Sequence, residues 1–120
     1  MEQHVSWVVE LTVKDGALDS FKELMEEMVA GTSEEPQTFA YEWYISDDRR
    51  SVHIFEKYSD SNSMVSHVQG FFEKWAERFT QCVDADRFTV YGNPSDEARE
   101  ILAGLGPTYL GPWGGFSRLS

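Results

Sequence analysis

His67 is the residue of this chain best suited to acid–base chemistry, because an imidazole of ordinary pKa about 6.5 takes up and releases protons near neutrality. It stands among Met64, Val68, Phe71, Phe72, Trp75 and Phe79, which recur at helical spacing as one apolar stripe interrupted near Gly70. On such a stripe the ring either packs in the core, hydrogen-bonded to a backbone carbonyl, or borders a hollow where it meets a ligand. Glu56 is the second candidate. In the β-rich run of residues 51–58 it shares a face with Ile54 and Tyr58, so its carboxylate needs a hydrogen-bond partner away from water. The Tyr41 hydroxyl is the expected donor, in a structural role or to orient a ligand.

Other chemistries find little support. His4 lies at the terminus and His53 on a sheet surface, and no His-x-x-x-His or Cys-x-x-Cys spacing is present, so no metal site is expected. The single cysteine, Cys82, cannot close an intrachain disulfide and reads as a small buried hydrophobe, which fits a reducing cytoplasm. Serine, aspartate and histidine show no assignable nucleophilic arrangement, and there is no lysine-rich phosphate site. With 21 acidic against 10 basic side chains the net charge is −11, which opposes nucleic acid and anionic membranes as partners. The start of the chain lacks the pattern of an export signal, and no apolar run of membrane-spanning length occurs.

The elements that must position these groups follow from period and turn residues. Residues 7–13 form a strand closed by Lys14-Asp15-Gly16. Leu18, Phe21, Met25, Met28 and Thr32 line the inner side of a first helix that ends before Pro36. Residues 39–46 and 51–58 pair as an antiparallel hairpin across Asp47-Asp48-Arg49-Arg50. With Ser46 opposite Ser51, one face gathers Tyr41, Trp43, Ile45, Val52, Ile54, Glu56 and Tyr58 as the core side. Asp60 or Ser61 caps the helix of His67, with a kink expected at Gly70. Residues 87–91 make a fourth strand, and Asn93-Pro94-Ser95-Asp96-Glu97 starts a short helix that runs through about Ala103. Beyond Gly104 the chain is too rich in Gly and Pro for regular structure, yet carries Leu105, Tyr109, Leu110, Trp113 and Phe116. So many large apolar groups imply that this tail docks on its own domain or on a partner subunit.

Strand, helix, strand, strand, helix, strand is an α+β pattern, the ferredoxin-like βαββαβ sandwich with two helices on one face of a four-stranded sheet. Residues 1–92 carry it, and residues 93–120 add the C-terminal helix and docking tail to the same domain. The other sheet face holds Glu10, Glu42, His53 and Lys57 beside Val8, Tyr44 and Phe55, too apolar for full solvation and too charged for a simple core. Packing two such faces across a twofold axis predicts a homodimer.

Four motifs resemble the dimeric α/β-barrel proteins of the antibiotic biosynthesis monooxygenase (ABM) type, a group that includes quinol monooxygenases. They are Glu10-Leu11-Thr12-Val13-Lys14-Asp15-Gly16 ahead of the first helix, Tyr41-Glu42, Phe55-Glu56-Lys57-Tyr58, and His67 nine residues after Tyr58. The resemblance implies a small cavity between helices and sheet in each subunit. It further implies a quinol or polycyclic aromatic substrate that meets O₂ with no metal, flavin or other cofactor. Deprotonation raises the electron density of such a substrate until electron transfer to O₂ becomes feasible, so the site must supply a base, an apolar slot and exclusion of water. On that basis His67 is the candidate acid/base, and Trp7, Tyr41, Trp43, Glu56, Tyr58, Trp75 and Phe79 are candidate substrate-binding residues. Haem-degrading relatives carry asparagine, tryptophan and histidine where this chain aligns Val9, His67 and Glu77, which disfavours haem degradation. Tryptophan is common in the family where Tyr58 stands. Two rivals remain: a polyketide cyclase or isomerase on the same scaffold, consuming no oxygen, and a non-catalytic binding or structural dimer with a filled core. A volume of roughly 300 Å³ or more beside His67 separates small-molecule chemistry from the filled core.

Overall fold

Alternating burial along Val5–Val13 produces strand β1, whose Val5, Trp7, Leu11 and Val13 point to the helices and are buried. The structure, a computed structural model, describes residues 4–118. Helix α1 (Leu18–Thr32) follows, then strands β2 (Thr38–Ile45) and β3 (Ser51–Tyr58), helices α2 (Ser61–Lys74) and α3 (Ala76–Cys82), and strand β4 (Val83–Gly92). Helix α4 (Asp96–Leu102), a turn of 3₁₀ helix and strand β5 (Thr108–Leu110) complete the chain. The sheet order is β2-β3-β1-β4-β5, with the first four strands antiparallel and β5 parallel to β4. This is the ferredoxin-like α+β arrangement, extended by one strand.

The hairpin has the register expected from Ser46 opposite Ser51. The Ser46 N–H donates to the Ser51 carbonyl at 2.9 Å, and Ile45, Trp43 and Tyr41 stand opposite Val52, Ile54 and Glu56. Because side chains alternate, Val52, Ile54, Glu56 and Tyr58 are all buried under the helices. Phe21, Leu24 and Met28 of α1 cover one end of that face, and Met64, Val65 and Val68 of α2 cover the other.

Three expectations are corrected. The chain bends at Trp75, not at Gly70, through which α2 runs unbroken: Trp75 has φ −130° and ends α2 as α3 begins. Its indole N–H donates to Glu27 Oε2 of α1 at 2.9 Å, and its ring lies where a Cβ on Gly31 would fall, 2.8 Å away. The helix is interrupted where the bulkiest side chain wedges against α1, a tertiary contact that helix propensity does not report. Strand β4 begins at Val83 rather than at Arg87, with Val83 paired to Val13 and Ala85 to Leu11 across a bulge in the ladder. Asp84 and Asp86 are poor strand formers, but the central strand pairs Asp84 with Thr12, and the Thr12 hydroxyl donates to the bulged, unpaired Asp86 at 2.6 Å.

The third correction concerns the tail, which is not wholly irregular. Thr108–Leu110, framed by Gly106-Pro107 and Gly111-Pro112, pairs with the free edge of β4 and satisfies backbone groups that would otherwise lie open. Gly106, at φ 65°, turns the chain into this strand. Tyr109 packs on the domain beneath the Arg99 guanidinium, 4.3 Å from its ring, while Trp113 and Phe116 remain exposed.

On the uncovered sheet face Val8 stands opposite Phe55 and Thr89, and Glu10 lies between His53 and Arg87 at 3.6 and 3.9 Å. Tyr44, Tyr91 and Leu110 are exposed large side chains. Among the described residues no helix is long and apolar enough to cross a membrane.

The α1–Trp75 contact sets the bend that orients α2, so Gly31→Ala is expected to destabilise the protein. Alanine improves helix propensity by up to about 1 kcal/mol, but overpacking against a rigid ring costs about 1–3 kcal/mol. A fall in the midpoint of urea unfolding is the expected outcome; a rise would show that the indole moves freely.

Candidate functional site

Glu56 projects from β3 beneath α2, with its side chain 7% exposed, so its carboxylate must find partners inside the protein. The Tyr58 hydroxyl supplies one, donating to Glu56 Oε1. This corrects the expectation that Tyr41 would be the donor. Residues two apart on a strand share a face, and Tyr58 is fully buried, so its hydroxyl is left to bond its neighbour. Tyr41 lies directly across the ladder from Glu56 and contributes ring packing against His67 instead.

His67 reaches Glu56 from above. The Asp60 side chain caps α2 by accepting the Ser63 N–H at 2.9 Å, and about two turns after that cap His67 faces the sheet, its side chain 4% exposed. Nε2 lies 3.4 Å from Glu56 Oε1, and Nδ1 lies 2.9 and 3.2 Å from the two oxygens of Glu35. The rings of Tyr41 and Tyr58 flank the imidazole, with centroids 5.6 and 5.3 Å away. One imidazole thus spans two carboxylates, one buried and one, Glu35, about a third exposed.

Burial of the ring favours its neutral form, but the hydrogen bonds and charges of Glu56 and Glu35 outweigh that effect and raise the His67 pKa above 6.5. Burial, reinforced by the Glu56 charge, pushes the phenols of Tyr41 and Tyr58 upward, so both stay protonated near neutrality. Neither tyrosine is a base here.

Beside this pair a cavity of about 210 Å³ lies between the helices and the sheet. Trp7, Val9, Tyr41 and Ile54 line its floor, Val68, Phe71 and Phe79 its roof, and Phe88 and Leu102 its far end, with Glu56 and His67 contributing polar groups. Phe72 and Leu105, both partly exposed, border its mouth. The volume falls short of the roughly 300 Å³ expected of a small-molecule site, so that expectation is not met, although the core is not filled either: the space exceeds the roughly 150 Å³ of a protein cavity that takes up benzene. A ligand of one or two rings is the size that fits.

Of the predicted site residues, His67, Glu56, Trp7, Tyr41 and Phe79 meet at this cavity. Tyr58 stands behind Glu56, Trp75 is held in the core by Glu27, and Trp43 packs on Phe21 beside a surface groove between α1 and β2. Sequence reasoning missed Glu35, which lies in a polar stretch beside Glu34 with nothing in its spacing to distinguish it. It also missed Phe88, which β4 presents to the cavity from a half-buried position. Among the described residues no group of three or more His, Cys, Asp and Glu side chains is arranged to hold a metal ion.

Residues 5–85, which run from β1 through α3 into the start of β4, match the antibiotic biosynthesis monooxygenase family, and the chain belongs to it. No curated protein matches the sequence. Among solved structures, MupZ from Pseudomonas fluorescens is similar over 97% of this chain and 95% of its own, with TM-score 0.86 and 24% identity. SnoaB from Streptomyces nogalater, a cofactor-independent oxygenase, superposes over 78% of this chain and 95% of its own with TM-score 0.64 and 16% identity. Rv0793 from Mycobacterium tuberculosis covers 78% of this chain and 97% of its own, with TM-score 0.66 and 17% identity. At these identities the likenesses establish the shared fold.

Because the folded pKa of His67 is raised, its ion pairing contributes fully below about pH 6.5 and is lost as pH climbs through the folded value. Comparing wild type with His67→Gln by urea unfolding should therefore show a stability gap that narrows as pH rises above about 6.5 and through the raised folded value. A gap that widens with pH would mean the ring is held neutral in the folded protein.

Proposed function

We propose that the protein is a cofactor-independent monooxygenase acting on a small hydroquinone of one or two rings. The observation that carries this reading is the Glu56–His67 pair set in the wall of a ring-lined apolar cavity. Membership of the family and the likeness to a cofactor-independent oxygenase support it.

Both nitrogens of His67 are turned toward carboxylates, so the group that meets the substrate is Glu56, with His67 behind it as the proton store. The substrate hydroxyl gives its proton to Glu56, and the resulting anion is electron-rich enough to reduce O₂. In the balanced reaction a hydroquinone and O₂ yield a hydroxyquinone and water. One oxygen atom enters a ring C–H position, the other leaves as water, and all four electrons come from the substrate. Trp7, Tyr41, Phe71 and Phe79 hold the ring and exclude bulk water, which would otherwise stabilise the anion and slow its oxidation.

The uncovered sheet face supports a homodimer in which two sheets pack together, burying Val8, Phe55 and Tyr44 while Glu10, His53 and Arg87 pair among themselves. Val8→Glu places an unpaired charge at the centre of that face. It is expected to raise the monomer fraction in sedimentation, and an unchanged fraction would move the interface elsewhere.

An oxygen electrode tests the activity directly, with a one- or two-ring hydroquinone and no added metal or flavin. Glu56→Gln and His67→Ala are each expected to cut kcat by about 10²–10⁴-fold. Oxygen uptake that survives both substitutions would sink the assignment, and substrate turnover without oxygen uptake would favour the cyclase or isomerase reading.

A further inference from the structure

His67 touches two different spaces. Its Nε2 side faces Glu56 and the inner cavity, while its Nδ1 side faces Glu35 and an outer cleft of about 420 Å³ between the segment after α1 and the first turns of α2. The cleft is lined by polar groups, including Glu34, Gln37, Asn62, Ser63 and Ser66, whereas the inner cavity is almost wholly apolar. Among the described residues His67 alone borders both. Glu35 is held in place by the Thr38 hydroxyl, which donates to Oε1 at 2.8 Å, and its side chain is 34% exposed. The arrangement is a carboxylate, an imidazole and a second carboxylate in line, running from a dry interior to water.

We propose that Glu35 is a positioning residue that holds His67 with Nδ1–H outward and Nε2 toward Glu56, and that it exchanges the substrate's proton with water in the outer cleft. This rests on the oxygenase reading only for the identity of the proton's source. The transfers balance step by step. The substrate O–H gives its proton to Glu56, leaving a substrate anion and a neutral carboxylic acid. That proton passes to Nε2 and forms imidazolium, the Nδ1 proton passes to Glu35, and Glu35 releases it to water. Run backward, the same path returns a proton to the oxygen that leaves as water. A buried base with no such outlet would have to hold its proton in an apolar site until the cycle closed.

The groups facing the ring come from every element packed on it: Glu35 from the segment between α1 and β2, Tyr41 from β2, and Glu56 and Tyr58 from β3. Both phenols remain protonated, so the two carboxylates are the groups that set the titration of His67. Removing one of the two charges without changing shape isolates its role.

The test uses the full chain with Glu35→Gln and Glu35→Asp. In the substrate-free protein, ¹⁵N NMR of the His67 ring is expected to show a pKa lowered by about one unit or more in Glu35→Gln, since an opposite charge within hydrogen-bond distance shifts a titration by that much. With hydroquinone, kcat is expected to fall at least about tenfold while KM stays within about twofold, and the acid limb of the kcat–pH profile moves to lower pH. Glu35→Asp should recover part of kcat, which a purely structural side chain would not do. An unmoved His67 titration, or an unchanged kcat and pH profile in Glu35→Gln, overturns the proposal. Absence of oxygen uptake by the wild type would instead remove the oxygenase reading, while the ring titration still decides whether Glu35 governs His67.

Discussion

Burial of the Glu56 carboxylate is the constraint around which the rest of the site is arranged. A charge taken out of water costs several kcal/mol unless it is paired and hydrogen-bonded. Tyr58 supplies the hydroxyl from the same strand face, and His67 supplies a ring nitrogen from the helix above. The imidazole is itself buried, so it needs Glu35 on its other side. Each partner recruits the next until the chain of polar groups reaches solvent. Helix α2 must therefore sit at one height over β3, and the segment after α1 must close against it.

The apolar half of the site follows from the same geometry. Aromatic side chains from β1, β2, α2 and α3 meet beneath the bend at Trp75, and their rings leave about 210 Å³ unfilled beside the carboxylate. Close packing would normally remove such a void, because each missing contact forfeits dispersion energy. Here the break between α2 and α3 holds the roof apart, with Trp75 anchored to Glu27 and fitted against Gly31 of α1. The cavity and the line of carboxylates across His67 are thus kept in register by one aromatic wedge on one side and one buried ion pair on the other. An acidic net charge does not disturb this arrangement, since most acidic side chains lie exposed on the outer helix faces and loops.

Much of the fold was legible in the residues. The alternation in β3 put Glu56 and Tyr58 on the core face, the Asp47-Asp48-Arg49-Arg50 loop fixed the hairpin register, and the stripe through His67 aimed the imidazole inward. These are local signals, with periods of 2 and 3.6 set by backbone geometry. What escaped were features decided by contacts between distant segments. The bend lies at Trp75 because an indole meets α1, whereas Gly70 is only permissive. Residues 83–85 join β4 because the central strand offers them partners, with Asp86 bulged between them and Arg87. Thr108–Leu110 become a strand because an edge was open, not because a Gly- and Pro-rich tail favours one.

By itself the sequence determined the α+β architecture, the inward placement of His67 and Glu56, and the ring-rich composition of the space around them. Each of those follows from residue type and spacing along one segment. Tertiary structure alone decided that Tyr58 and not Tyr41 bonds Glu56, that Trp43 and Trp75 stand away from the cavity, and that Glu35 completes the line of carboxylates across His67. Glu35 and His67 are 32 residues apart, and the distance between two such side chains is set by how α1, β2 and α2 pack, a quantity that no local period encodes.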